Sequence, residues 1–208
     1  MHEKILSQFE KIADELANDG ISVIDDFLSK EEVTNITNTD EFKNGLLRFK
    51  KAGIGKQQEK QIKESIRGDY IQWIDQTNTA PQILLYLERL SQLMAFLNQS
   101  LFLSLKDLEL HMTIYPTGSF YKRHLDQFKK DDHRKLSVIC YLNENWLEDE
   151  GGQLRVYFPT EMKDFFPTAG RLVCFRSDQL EHEVLPATRE RLSLTGWFVD
   201  KEIDLKHL

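Results

Sequence analysis

His124 and Asp126 stand two residues apart in the run Tyr121-Lys122-Arg123-His124-Leu125-Asp126, and His182 follows in Glu181-His182-Glu183-Val184. On an extended strand, residues two apart point to one side, so the imidazole of His124 and the carboxylate of Asp126 share a target. Leu125 is then expected to turn into the opposite packing. One further imidazole from another strand completes a face of two histidines and one carboxylate. That set suits non-haem Fe(II) and leaves coordination positions open on the far side. Two neutral imidazoles and one carboxylate leave the centre net positive, able to accept an anionic chelating cosubstrate. His-x-Asp alone is a common triplet in a chain with six histidines and 34 acidic residues, so the partner carries the argument. His2 and His207 lie at the termini, where order is poor. His133, in Lys129-Lys130-Asp131-Asp132-His133-Arg134, reads as a loop residue. His111 shares the polar face of a strand, either as an ordinary strand histidine or as a group behind the ligands. His182, just ahead of a late strand, is the preferred third ligand.

Arg191 adds an anchor. If a last strand begins there, Arg191, Ser193 and Thr195 share one face and Leu192 and Leu194 the other. An arginine pointing into a barrel needs an anion, because a buried unpaired charge is costly. Its fork binds a carboxylate through two parallel hydrogen bonds, and Thr195 offers a hydroxyl on the same face. Arg189 sits nearer the turn and is expected in solvent.

These residues need a scaffold of strands. From Leu108 the hydrophobic period is two, with Leu108, Leu110, Met112 and Ile114 facing one way and Glu109, His111, Thr113 and Tyr115 the other. Further strands are expected at 135–142, 153–158, 171–176 and 191–199, spaced as in a sandwich or jelly roll. Ahead of them, Ile5, Phe9, Ile12 and Leu16 mark a helix with one buried face, followed by a short strand at Ile21–Ile24. Ser29 with Glu32 forms a capping box, which starts a second helix near Lys30. Asp69 to Ile74 reads as a strand. Pro81 opens a helix whose stripe is Ile83, Leu87, Leu90, Met94 and Leu97. Residues 43–68 mix lysine, arginine and glycine. They are expected as a solvated loop, or as a lid over a site. Helices first and strands later make the chain α+β. The expected organisation is a single domain over 1–208, with helices, mobile loop and flanking strands in 1–107 and the metal-binding β core in 108–200.

A chain of 208 residues with 40% hydrophobic and 29% charged content is long enough for a sizeable core. Its 27 basic and 34 acidic side chains leave a net charge of −7, which argues against a general nucleic-acid binder. Cys140 and Cys174 each lie in an apolar run and read as small buried hydrophobes rather than a disulfide framework. The first residues lack the apolar stretch of a signal peptide, and no run approaches the roughly 20 apolar residues of a membrane helix. A cytoplasmic location is expected.

At the residues from His124 to Trp197 the chain resembles the 2-oxoglutarate- and Fe(II)-dependent oxygenases of the prolyl 4-hydroxylase type. It is most similar to the egl-nine-like oxygen-sensing prolyl hydroxylases and their bacterial relatives. Supporting runs include Gly20 to Leu28, Ile66-Arg67-Gly68-Asp69-Tyr70-Ile71-Gln72-Trp73, Tyr115-Pro116, Tyr141-Leu142-Asn143, Gly151-Gly152-Gln153-Leu154-Arg155 and Thr188 to Trp197. The resemblance implies a double-stranded β-helix with supporting helices, and iron held by His124, Asp126 and His182. It also implies that Arg191 pairs with the distal carboxylate of 2-oxoglutarate. Tyr141 matches a position contacting that carboxylate, and Tyr115 and Thr195 match positions lining the pocket. The 50–68 stretch corresponds to a mobile loop that closes over substrate. One departure stands out: after Asp126 the chain has Gln127-Phe128-Lys129-Lys130, where the animal oxygen sensors carry Asn-Pro.

The implied activity is hydroxylation of a prolyl residue in a protein, coupled to conversion of 2-oxoglutarate and O2 into succinate and CO2. Ascorbate is the implied reductant, and a loop proline of elongation factor Tu an implied candidate target. The competing readings are hydroxylation of another residue or a small molecule, and a cupin-like barrel that senses metal or 2-oxoglutarate without turnover. Halogenation is disfavoured by Asp126, since halogenating relatives carry a small residue there.

Overall fold

The computed structural model describes residues 2–53, 65–127 and 132–201. Helix α1 (His2–Asp19) buries Phe9, Ile12, Ala13 and Leu16, the periodic stripe of the sequence, and stops at Gly20 with φ +73°. Helix α2 (Lys30–Thr37) starts at the expected box: the Glu32 amide donates to Ser29 Oγ at 3.2 Å and the Ser29 amide to Glu32 Oε2 at 2.7 Å. Helix α3 (Asp40–Lys43) is a single turn. Helix α4 (Pro81–Leu101) opens on proline, whose missing N–H costs nothing in the first turn, and buries Ile83, Tyr86, Leu87, Leu90, Leu93 and Leu97.

The strands are β1 (Ile21–Ile24), β2 (Lys50–Lys51), β3 (Tyr70–Trp73), β4 (Asp107–Tyr115), β5 (Tyr121–His124) and β6 (Arg134–Tyr141). They continue as β7 (Leu154–Tyr157), β8 (Met162–Phe165), β9 (Leu172–Arg176), β10 (Glu181–Val184) and β11 (Arg191–Val199). Among the described residues they form a seven-stranded sheet, β1-β9-β6-β11-β4-β3-β2, and a four-stranded sheet, β5-β10-β7-β8, with antiparallel strand pairing throughout.

Strand parity divides the interior in two. Even-numbered residues Leu108, Leu110, Met112 and Ile114 of β4, Val138 and Cys140 of β6, and Leu194 and Phe198 of β11 pack with α1 and α4. Odd-numbered Tyr115, Ile139 and Tyr141 join Leu154, Val156, Val173, Phe175 and Val184 in a second core between the sheets. Two facing antiparallel sheets with helices on the outer face of the larger one make a double-stranded β-helix, an α+β fold. The free thiols Cys140 and Cys174 are buried on the helix side, and burial pushes Cys174 up to about 12.

Two local expectations need correction. Residues 181–184 do not precede a strand; they form β10, paired with both β5 and β7. The near end of 43–68 is not a loop: a 3-10 turn at Gly45–Leu47 leads into β2, which pairs with β3. Phe42, Phe49 and Ala52 are buried there and tie the segment to the sheet despite its charge. Residues 54–64, on which the lid expectation rests, lie outside the described residues. His133 does lie outside a strand, but it is buried, with its Nε2 at 3.1 Å from Glu109 Oε1.

Candidate metal centre

His124 ends β5 and faces His182 of β10 across the strand pair. Both rings are set by their own backbone. His124 Nδ1 lies 2.7 Å from the Lys122 carbonyl and His182 Nδ1 lies 3.1 Å from the Leu180 carbonyl. A carbonyl only accepts, so each Nδ1 carries the proton and each Nε2 presents a lone pair. Those two Nε2 atoms lie 3.4 Å and 3.6 Å from the Asp126 oxygens Oδ1 and Oδ2. The three donor atoms all lie within 4.8 Å of one another. Tyr121 stacks on His124 at 3.6 Å between centroids, and Phe175 meets His182 edge-on at 4.8 Å.

The carboxylate reaches this point differently from the parity argument. The strand ends at His124, so Asp126 sits in a bend beyond it. Leu125 is not packed away; it is 40% exposed and lines the cavity at the mouth. Asp126 is held instead by Ser137, whose Oγ donates to Oδ2 at 2.7 Å. Burial alone would raise the Asp126 pKa, and the Ser137 hydroxyl, which donates to the carboxylate, favours the ionised form. Burial, aided by the charge of His124, lowers His182 to about 4, which keeps its ring neutral at physiological pH.

The three side chains open into a cavity of about 130 Å³ that also receives Tyr115, Arg191 and Thr195. Strand β11 begins at Arg191, opposite Tyr115 on β4. Arg191 is 2% exposed, and its Nε donates to the Gly152 carbonyl at 2.9 Å. Its guanidinium lies between the rings of Tyr115 and Tyr141, 5.0 and 4.9 Å from their centroids. Among the described residues no carboxylate pairs with it. Gly152 permits this approach: a Cβ there would lie 2.9 Å from Trp146 and 3.4 Å from Arg191 Cδ. Arg189 is spent elsewhere, pairing with Glu150 at 2.9 Å and lying over Trp146.

Tyr141 sets its ring against the Arg191 guanidinium and is fully buried. Its hydroxyl is buried with no hydrogen bond at standard distance. Burial raises its pKa, and the neighbouring Arg191 draws it back down. Thr195 Oγ1 lies 3.0 Å from Ser193 Oγ, on the face shared with Arg191.

Arg67 and Asp69 also line the cavity and carried no assigned role in the sequence. Asp69 is fully buried and takes both oxygens into the Arg67 fork, at 2.7 and 2.6 Å. Arg67 in turn lies over Tyr121, 4.1 Å from its centroid. His111 neither binds nor backs the ligands: its Nδ1 lies 2.9 Å from Thr113 Oγ1 and its ring packs between Trp73 and Trp197. Burial, with the charge of Arg67, lowers it to about 4. Parity along β3 and β11 is the signal that places Trp73 and Trp197 beside it.

Comparison with known proteins fits this geometry. The domain described as the 2OG-Fe(II) oxygenase superfamily matches residues 110–199. A crystal structure of a Pseudomonas putida prolyl-4-hydroxylase is 42% identical, with a TM-score of 0.84 over 93% of this chain and 100% of that one. The chain belongs to the 2OG-Fe(II) oxygenase superfamily. A Trichoplax adhaerens prolyl hydroxylase, solved in complex with a hypoxia inducible factor oxygen degradation domain peptide, is 28% identical with a TM-score of 0.82, covering 96% of this chain and 92% of that one. Human Egl nine homolog 1 is 32% identical over 199 residues, which are 88% of this chain and 44% of that protein. The chain spans about half the length or less of the curated relatives it matches.

Membership implies Fe(II), 2-oxoglutarate and O2, and the residues present fit them. Two imidazoles with Nε2 directed inward and one ionised carboxylate form a donor set for ferrous iron. A buried guanidinium without a carboxylate partner fits an anion at the other end of the same cavity.

Proposed function

We propose that the chain is a 2-oxoglutarate- and Fe(II)-dependent dioxygenase that hydroxylates a prolyl residue in a protein. The observation that carries this is one cavity holding the His124, Asp126 and His182 donors and the carboxylate-free Arg191 fork, in a chain 42% identical to a prolyl-4-hydroxylase. The chemistry of the bound set is oxidative decarboxylation of 2-oxoglutarate to succinate and CO2, coupled to insertion of one oxygen atom into a substrate C–H bond.

The chain's own residues supply position and shelter. His124, Asp126 and His182 hold the metal, with each imidazole fixed by its Nδ1–H bond to a backbone carbonyl. Arg191 receives the distal carboxylate of 2-oxoglutarate with its free N–H groups, while its Nε stays on Gly152. Tyr141, whose buried hydroxyl has no hydrogen-bond partner among the described residues, contacts the same carboxylate beside Arg191, and Tyr115 and Thr195 flank the bound chain. Ile139, Leu154 and Val184 give the cavity an apolar wall that excludes water and strengthens the ionic contacts within it.

A protein substrate is supported by likeness to the Trichoplax enzyme, whose structure contains a peptide. Elongation factor Tu as the particular target rests on the resemblance to bacterial relatives, as does ascorbate as reductant. Among the described residues no helix is long and apolar enough to cross a membrane; a cytoplasmic location is part of the same proposal.

The test has two steps. Anaerobic Fe(II) and 2-oxoglutarate should produce a weak visible charge-transfer band. Aerobic incubation with host-cell proteins should then add one oxygen to a proline, read by mass spectrometry against the Asp126→Ala variant. Modification confined to residues other than proline would overturn the prolyl assignment. No band, and no succinate, would overturn the oxygenase.

A further inference from the structure

The three metal-binding candidates are not held by one element. Both imidazoles come from the four-stranded sheet, His124 on β5 and His182 on β10. Asp126 lies past the end of β5, where no strand ladder fixes its side chain. What reaches it comes from the seven-stranded sheet. Ser137, in β6, donates to Asp126 Oδ2 at 2.7 Å, and Ser177, just after β9, lies 2.9 Å from Ser137 through its own hydroxyl.

Donor counting fixes the direction of this chain. An ionised carboxylate only accepts, and a serine has a single hydroxyl proton. Ser137 gives its proton to Asp126, so Ser177 must donate to Ser137. Ser177 holds the same turn a second time: its carbonyl accepts from the Gln127 amide at 3.2 Å, while its own amide donates to the Lys135 carbonyl at 3.1 Å. The two serines are 1% and 0% exposed, so bulk water does not compete for these bonds.

We propose that Ser137, oriented by Ser177, is the positioning residue of the carboxylate ligand: its bond to Oδ2 fixes the orientation of the carboxylate toward the two imidazoles. The larger sheet thereby sets the carboxylate against two imidazoles set by the smaller one. This inference rests on the metal-centre reading above and adds to it a residue that touches neither metal nor substrate.

The test is Mn(II) binding to the 208-residue chain, followed by electron paramagnetic resonance of the free ion, without peptide or turnover. Loss of a partner that orients a ligand weakens metal binding by about 10- to 100-fold. Ser137→Ala should show this, with the metal-free unfolding midpoint changed little. Ser137→Cys keeps the volume with a much weaker donor and should weaken binding similarly, which separates the hydrogen bond from a packing defect. Ser137→Thr keeps the hydroxyl on a side chain suited to a strand and should restore binding to within about three-fold of wild type. Ser177→Ala should weaken binding less than Ser137→Ala.

Wild-type binding with Ser137→Ala and Ser137→Cys both within about two-fold would overturn the inference alone. A wild-type chain that binds no Mn(II) would overturn this inference together with the metal centre. Tight wild-type binding without hydroxylation of any proline would remove the prolyl assignment and leave the Ser137 result standing.

Discussion

Replacing Arg191 is the sharpest test of the cosubstrate end of the cavity. Arg191 is 2% exposed, and its guanidinium is held by one bond to Gly152 and by two tyrosine rings and faces no carboxylate among the described residues. Removing one partner of a buried, hydrogen-bonded charge pair costs about 2–5 kcal/mol. Arg191→Ala should therefore weaken 2-oxoglutarate binding by about 30- to 5,000-fold. Arg189 is 40% exposed at its side chain and its pair with Glu150 is a surface one, worth about 0–1 kcal/mol, so Arg189→Ala should change affinity less than about five-fold. Arg191→Lys keeps the charge but loses the planar fork, and should fall between the two. Affinity is read by isothermal titration with Mn(II) present, and by the unfolding midpoint with and without 2-oxoglutarate. In Arg191→Ala the increase in midpoint on adding 2-oxoglutarate should vanish, whatever the midpoint without cosubstrate. An unchanged 2-oxoglutarate-induced increase in Arg191→Ala, or a larger loss in Arg189→Ala, would refute the anchor.

Three other outcomes are expected. Asp126→Ala should abolish both Mn(II) binding and succinate production; a variant retaining full activity would remove Asp126 from the ligand set. His111 has its pKa lowered from 6.5 to about 4 chiefly by burial, so the unfolded chain takes up its proton first as the pH falls. The stability it contributes is complete above pH 6.5 and is lost as the pH approaches 4, on the order of 3 kcal/mol. His111→Leu should flatten that part of the denaturant-midpoint profile, and an unaltered slope would contradict the burial argument. Gly196→Ala should lower the unfolding midpoint by about 6–12 °C, from a strain of about 3 kcal/mol or more. A Cβ at that position would lie 2.1 Å from the Glu109 carbonyl oxygen on the paired strand. A midpoint within about 2 °C of wild type would show that the strands separate freely there.

Much of this site was legible because strands repeat every two residues. Parity along 108–115 separates His111, Thr113 and Tyr115 from the leucines of the same strand, and the run from Arg191 groups Thr195 with Arg191. The same rule misjudged Leu125, because it presumes that the strand continues, and this one stops at His124. The period carries no mark of where pairing ends; that is decided by the partner strand, here β10. Helix α2 was legible from Ser29 and Glu32 because a capping box is local. Residues 50–51 were not, since two lysines pair with β3 through backbone groups that composition does not encode. Ser137 was within reach, two and four residues from Ile139 and Tyr141 on the inner face. Its contact with Asp126 is a tertiary event that no spacing announces. Asp69 was passed over for a similar reason: its burial depends on Arg67 folding back over it.

Strand β4 sends Leu108, Leu110, Met112 and Ile114 to the helices and His111, Thr113 and Tyr115 to the cavity. A single-residue insertion or deletion inside it would exchange those two sets over the length of the strand beyond the change. Polar groups would then meet the helices while leucines filled the cavity. Evolution of this chain toward new substrates is therefore confined to side-chain exchange along β4 and to length changes in the connections around it. The strand itself must keep its count.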